Sequence, residues 1–387
     1  MDIHHSTQSI LAIQNLFAAG NPNAIWFEVG LGILLIAIVV ASFRFWYIAF
    51  TRLMSNQELI PYRRSECVLG FIDVVAIFVC WLGAQVAAGV VLVMIAGPGA
   101  IGGSEADMFE KHGVLLLYLS AALGFASLIG GGAYLVIRYR TTNSFGLRMG
   151  DLKRQVGYGV VVFTMMFPIT LLVQYLLSLY VEYDHQVLSV LAKDPSFVPI
   201  FGCWAAAVLQ APIVEEFVFR GVFHHWMERL SVSKITDDQM LIGGSSLPTT
   251  DGAVGNTFGD GSEIPTAELI EPNFVSGAAA DSTQINPYAS PIIQAIGVKG
   301  QAVSPKAEVH TVHPKFAYWP ILVSSACFGL IHWGQGLAPI PLFILALGLG
   351  YLFRQTGSLI ACITVHFLLN FYSMFVFTTM ILLGETP

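Results

Sequence analysis

Two carboxylates and a guanidinium interrupt an otherwise apolar stretch of the sequence, APIVEEFVFRGVFHH at residues 211–225. On a helix the adjacent side chains of Glu215 and Glu216 point about 100° apart, whereas Glu216 and Arg220 can form an ion pair four residues apart on one face. That pair leaves the carboxylate of Glu215 free. Charges inside a membrane are costly and are normally paired or functional. The pattern therefore indicates either a network that only joins helices or a site of chemistry, and we favour the site.

Two later apolar segments carry histidines in the same kind of setting. CFGLIHWGQG places Phe328 and His332 four residues apart, and GSLIACITVHFLLNFYS places His366 and Asn370 four residues apart, on one helix face. A carboxylate and two imidazoles that converge can hold a water molecule and remove its proton. Glu215, His332 and His366 could instead bind Zn²⁺ with an open position for water, and Asn370 could stabilise an oxyanion. The set predicts amide hydrolysis by activated water, with Zn²⁺ or with no metal.

The composition is that of a polytopic membrane protein. Only 11% of the 387 residues are charged, against about 25% in soluble domains, and the mean hydropathy is +0.69. The net charge is −7 and no basic block occurs, so nucleic acid is not an expected partner. The five cysteines show no CxxC spacing, which argues against disulfides and a cysteine metal site.

The predicted fold is an all-α polytopic membrane helix bundle of about eight transmembrane helices, since a span needs about 20 mostly apolar residues. The candidate spans are residues 25–43, 70–97, 113–137, 157–181, 200–228, 317–335, 338–353 and 358–382. Lys and Arg are concentrated after the first and third spans, which predicts that both termini lie outside and that the loops after spans one, three, five and seven lie inside. We expect an integral multi-pass protein of the cell (inner) membrane of a bacterium.

Three regions follow from the pattern along the chain. Residues 1–155 form an N-terminal region with three spans, and residues 156–230 and 316–387 form a core that carries the polar motifs. Residues 231–315 between them are rich in Gly, Ser, Thr, Asp and Pro without a helical or strand period. We predict that this cytoplasmic insertion is flexible and disordered.

The polar residues of the three helices are expected at one depth. Counted from the predicted cytoplasmic end of each helix, Glu215 and His332 are 14 residues away and His366 is 12 residues away. These counts correspond to about 21 Å and about 18 Å along a helix, inside a hydrocarbon layer about 30 Å thick. This estimate requires the fifth span to run through Pro212, with a kink there. His224 and His225, nearer the cytoplasmic end of that span, are interpreted as anchors at the membrane interface.

The ordered motifs EExxxR, FxxxH and HxxxN resemble those of the CPBP family, which comprises CAAX prenyl proteases of the Ras-converting-enzyme type and bacteriocin-processing or immunity relatives, also called Abi proteins. The segments FRG and TGSL are similar to the family's as well. The resemblance covers residues 157–382 without the insertion. It implies a membrane-embedded endopeptidase that acts on a peptide or protein substrate, which in part of the family is lipid-modified.

Carried over residue by residue, the resemblance implies that Glu215 and His332 activate water and that His366 and Asn370 bind the oxyanion. Glu216 and Arg220, from the same motif as Glu215, and Phe328 would support them. Two other functions stay open: a non-catalytic membrane receptor, scaffold or immunity protein of the same fold, and a proton- or ion-coupled transporter. The sequence shows no paired repeats, which transporters commonly have. No oligomeric state follows from the sequence.

Overall fold

A computed structural model describes most of the chain outside the predicted insertion. The described residues are 22–60, 67–97, 105–180, 191, 194–232, 318–336 and 338–383. The chain divides into two compact units, Met1–Leu247 with Pro314–Pro387, and Pro248–His313. The second unit lies outside the described residues, and so does the predicted insertion beyond Val232. The division into three regions therefore stays a prediction.

The described residues form helices and no strand, which confirms the predicted all-α class. Each of the eight candidate spans overlaps a helix. The helices are α1 Pro22–Met54, α2 Phe71–Ala96, α3 Glu105–Tyr139, α4 Leu152–Ser178, α5 from Phe197 to Val232, α6 Trp319–Leu330, α7 Pro339–Thr356 and α8 Leu359–Leu382. Among the described residues, six helices (α1–α5 and α8) are long and apolar enough to cross a membrane, as expected for a multi-pass membrane protein.

Helix α6 is shorter than predicted. The candidate span 317–335 becomes a helix of 12 residues, about 18 Å long, and His332 lies in the turn that follows it. The amide of His332 donates to the carbonyl of Gly329, three residues earlier, and Gly336 has a φ of +63°. Glycine adopts this left-handed conformation without strain, which suits Gly336 to the turn between α6 and α7. Helices α6 and α7 pack as a hairpin with this turn at its tip.

Helix α5 combines two kinds of helical winding. Its consecutive segments are Phe197–Trp204, Ala205–Gln210, Ala211–Glu216, Phe217–His224 and His225–Val232, of which the second and fourth are π-helical. Such wider turns often occur at functional sites. Here they bracket the short α-helical segment that carries both glutamates, and the helix runs through Pro212 as expected.

The main hydrophobic core surrounds α5. Val214 and Phe217 of α5, Leu349 of α7 and Val365 of α8 are almost completely buried in it. Helices α2 and α3 are joined near this core by Asp73, which is fully buried and accepts hydrogen bonds from the Gly70 amide and from the hydroxyls of two tyrosines of α3. Helix α5 is thus packed on several sides, and its polar side chains are held in fixed directions.

Candidate active site

The carboxylate of Glu215 lies between the two histidines of the later motifs. Its Oε2 is 3.9 Å from Nε2 of His332 and 4.0 Å from Nε2 of His366. This oxygen is buried and accepts no hydrogen bond from the described residues. The structure therefore brings together three side chains from α5, the turn after α6, and α8, although they are up to 151 residues apart in the sequence.

Both imidazoles are oriented by a hydrogen bond at the other ring nitrogen. Nδ1 of His332 is 2.8 Å from the backbone carbonyl of Phe328, and Nδ1 of His366 is 2.9 Å from Oε1 of Glu216. Because carbonyl and carboxylate oxygens accept, each Nδ1 carries a proton and donates. The Nε2 atoms are consequently the ones that face Glu215, an arrangement in which the partner of one nitrogen fixes the role of the other.

Glu216 and Arg220 form the buried ion pair that their spacing predicts. Nη1 of Arg220 is 3.1 Å from Oε1 of Glu216, and the side chains are 1% and 0% exposed. The guanidinium lies over the ring of Phe328, with Cζ 4.3 Å from the ring centroid, a favourable cation–π distance. The ring of Phe328 is also 5.1 Å from that of His332. Phe328 therefore links the ion pair to the turn that carries His332.

Asn370 lies one helical turn beyond His366 and contacts a π-helical part of α5. Its Nδ2 donates to the carbonyl of Ala207 at 2.7 Å. In this part of α5 the Ala211 amide donates to the carbonyl of Ala206, five residues earlier. In the same pattern, the donor for the Ala207 carbonyl would be residue 212, which is a proline without an N–H. Asn370 therefore supplies the donor that Pro212 lacks, and its Nδ2 carries a second N–H besides the one used in this bond.

The three side chains have the donor chemistry of a zinc site, but their spacing is wide for one. Zinc ligands lie about 2.0–2.2 Å from the ion in a tetrahedron, which places two donor atoms roughly 3.4 Å apart. The distances from Glu215 to His332 and His366 are 3.9 and 4.0 Å. Among the residues that the structure describes, no group of three His, Cys, Asp or Glu side chains is placed to hold a metal ion. Zinc therefore stays a prediction.

A second polar cluster on α5 was not expected to be buried. His224 is fully buried, its Nδ1 is 2.9 Å from the hydroxyl of Ser324, and its Nε2 is 3.5 Å from Oε1 of Glu228. Nη1 of Arg354 is 3.6 Å from the same carboxylate oxygen. His225 is also buried, at 2% exposure. The interpretation of His224 and His225 as interface anchors is therefore wrong, because α6 and α7, which cover this face of α5, could not be placed from the sequence.

One family model matches the part of the chain that carries the second and third motifs. The family model described as type II CAAX prenyl endopeptidase Rce1-like matches residues 302–372. The matched range contains Phe328, His332, His366 and Asn370, and it does not contain the glutamates of α5. No curated protein and no solved structure matches the chain. The match supports the resemblance to the CPBP/CAAX protease family that the motifs predicted, and it covers 71 of the 387 residues.

Proposed function

We propose that this protein is an intramembrane endopeptidase of the CPBP type that hydrolyses a peptide bond with a water molecule activated by Glu215 and His332. The observation that carries the proposal is the position of Glu215 Oε2, which is buried, accepts no hydrogen bond from the described residues and lies 3.9 and 4.0 Å from two imidazole nitrogens. Polar atoms at such distances are commonly bridged by water. With hydrogen bonds of about 2.8 Å, one water connects atoms roughly 4–5 Å apart.

In the proposed reaction the carboxylate of Glu215 removes a proton from the water while Nε2 of His332 accepts a hydrogen bond that orients it. The resulting hydroxide attacks the substrate carbonyl carbon, and the carbonyl oxygen becomes an oxyanion. When the C–N bond breaks, the Glu215 carboxylic acid returns the proton to the leaving nitrogen. This step gives a carboxylic acid and an amine, and Glu215 is again ionised. The acid then passes its proton to the amine, so that the final products are a carboxylate and an ammonium group.

The partners of the two histidines support different roles for them. His332 donates to a neutral peptide carbonyl, which suits a neutral imidazole whose Nε2 accepts from water. His366 donates from Nδ1 to the carboxylate of Glu216, which holds the ring with Nε2 towards the site. When Nε2 also carries a proton, His366 donates to the oxyanion, together with the second N–H of Asn370. Buried donors of this kind contribute strongly to catalysis.

The substrate is proposed to be a peptide or protein in the bilayer, lipid-modified or membrane-bound, and the membrane the cell (inner) membrane of a bacterium. The family description names prenyl endopeptidases, which favours a prenylated C-terminal segment as the first substrate to test. If the enzyme is a metalloprotease, Zn²⁺ would be held by Glu215, His332 and His366 and would supply a Lewis acid for the water.

The test uses purified protein in lipid vesicles with fluorogenic peptides, with and without a prenylated cysteine. We expect cleavage by the wild type and loss of at least a hundredfold in kcat for Glu215→Gln and for His332→Ala. Glu228→Gln is the matched control, because it removes a carboxylate from the same helix outside the site, and its kcat should stay within a fewfold of wild type. Elemental analysis of the same preparation decides between zinc and metal-free water.

The proposal fails if both site variants keep full cleavage. The alternative, a non-catalytic receptor, scaffold or immunity protein, is favoured by the buried Glu216–Arg220 pair, which could simply join helices. It predicts no turnover by a folded wild-type protein and loss of stability or partner binding in the variants.

A further inference from the structure

An open cleft of about 410 Å³ lies where the start of α4 meets the turn between α7 and α8. None of its residues belongs to the three motifs of the candidate active site. The cleft is lined by Arg148, Gly150, Asp151, Arg154, Gln155, Tyr158, Thr356 and Ser358.

The floor of this cleft is already assembled. The side chain of Gln155 is buried, and its amide donates to the carbonyl of Arg148 at 3.0 Å and to that of Gly150. Its Oε1 accepts from the hydroxyl of Ser358, the residue before α8. These bonds join the loop before α4 to the turn before α8, so a ligand would not have to order the site.

The charged side chains of the cleft favour an anion. Two arginines and one aspartate line it, which leaves one net positive charge. Nη2 of Arg154 is 3.4 Å from Oδ2 of Asp151, and the two side chains are 47% and 60% exposed. A guanidinium has five N–H donors, so Arg154 can bind a second anion beside this exposed pair. The planar fork of an arginine matches phosphate oxygens particularly well.

Exposed apolar side chains lie next to the two cleft arginines in the sequence. Met149, Leu152 and Val156 are 74%, 52% and 37% exposed, and they flank Arg148 and Arg154 in the sequence. A ligand that fits both features has an anionic head and an apolar body. The distribution of Lys and Arg predicts that this end of α4 lies at the cytoplasmic face, where the leaflet is rich in anionic lipids.

We propose that this cleft binds the phosphate group of an anionic phospholipid, whose acyl chains lie along the exposed apolar side chains at the start of α4. The site is separate from the candidate active site and does not depend on the proposed peptidase function. Because the cleft is bounded by the residue before α8, the bound lipid would stabilise the start of the helix that carries His366.

The experiment measures lipid adducts of the purified full-length protein by native mass spectrometry in a non-ionic detergent. Phosphatidylglycerol and phosphatidylcholine with identical acyl chains are titrated separately. We expect half-occupancy by phosphatidylglycerol at a concentration at least fivefold lower than by phosphatidylcholine. Arg154→Ala should weaken phosphatidylglycerol binding at least fivefold. Lys153→Ala is the matched control, because it removes the same charge from an exposed neighbour that does not line the cleft, and it should change binding less than twofold.

Three results would overturn the proposal. Equal weakening by the two variants would mean diffuse attraction to a positive surface. Equal binding of the two lipids, which share the phosphodiester, would mean that the net negative charge of the headgroup is not recognised. Full displacement of the lipid by an equal concentration of inorganic phosphate would assign the cleft to free phosphate. Thermal unfolding without added lipid checks that both variants fold, as expected for two exposed side chains.

Discussion

The hydrogen bond between Asn370 and Ala207 gives the sharpest test of how the site is built. Asn370→Ala removes the donor to the Ala207 carbonyl, whose backbone partner is missing because residue 212 is proline. A buried acceptor left without a partner costs about 1–3 kcal/mol. Because Asn370 is only half-buried, water can replace part of the bond, and we expect the free energy of unfolding to fall by about 1–2 kcal/mol.

A compensating substitution separates this effect from other losses. Pro212→Ala restores an N–H at the position that the π-helical pattern would direct to Ala207. In the double variant we expect the cost of Asn370→Ala to decrease by about 1 kcal/mol, the usual net value of one hydrogen bond. Unfolding of wild type, both single variants and the double variant in mixed micelles gives this coupling energy as a double-mutant cycle.

The outcome that refutes this structural reasoning is additivity. If the two substitutions add within about 0.3–0.5 kcal/mol, Pro212 and Asn370 do not share the Ala207 carbonyl. Kinetics of the same four proteins tests the second role of Asn370. Loss of an oxyanion donor lowers kcat by about 10²–10³, and Pro212→Ala cannot restore it, whereas a purely positioning role predicts that stability and kcat recover together.

Two further sets of substitutions and one alkylation reaction test other parts of the structure. Glu216→Gln should lower the free energy of unfolding by about 3–5 kcal/mol, because it leaves Arg220 as an uncompensated buried charge. The double variant Glu216→Gln with Arg220→Met should recover most of this loss, measured by denaturant unfolding in mixed micelles. Gly329→Ala should destabilise the α6–α7 hairpin by about 1–3 kcal/mol, because its Cβ would lie 2.9 Å from a backbone carbonyl of α7. Gly334→Ala is the control: its Cβ would meet nothing within 4 Å, and it should not change the free energy of unfolding. Burial raises the pKa of the Cys67 thiol to about 12, so its alkylation at pH 9, followed by peptide mass spectrometry, should be slower by about a thousandfold than that of an ordinary thiol.

The ionisable residues of the candidate site could be identified from the sequence. Glu215, His332 and His366 could be selected because ionisable side chains are rare and expensive in apolar helices, and their predicted common depth agrees with their distances of 3.9 and 4.0 Å. The ion pair between Glu216 and Arg220 was predicted from helical spacing alone, and in the structure Nη1 of Arg220 lies 3.1 Å from Oε1 of Glu216. The catalytic roles of all these residues stay predictions until the variants are measured.

Other features of the site could not be predicted because they depend on deviations from regular helices or on neighbours from distant segments. The helix predicted over residues 317–335 ends at Leu330, because the hydropathy of a whole window does not locate the end of a helix. The π-helical segments of α5 change the hydrogen-bond pattern without a clear signal in residue type. Pro212 predicted a kink, but the donor that compensates for it, Asn370, is 158 residues away in the sequence.

The two adjacent glutamates lie in an α-helical segment of α5 that has a π-helical segment on each side. Two neighbouring carboxylates on α5 cannot share one environment, and the structure gives them opposite ones: Oε1 of Glu216 accepts from Arg220 and His366, whereas Oε2 of Glu215 accepts from no described residue. The same bond that fixes Glu216 also turns Nε2 of His366 towards Glu215. The two adjacent glutamates therefore differ: Glu216 binds the guanidinium of Arg220, and Glu215 keeps a carboxylate oxygen without a hydrogen bond from the described residues. Because both lie on α5, a change in the winding of this helix between Ala205 and His224 would move both carboxylates.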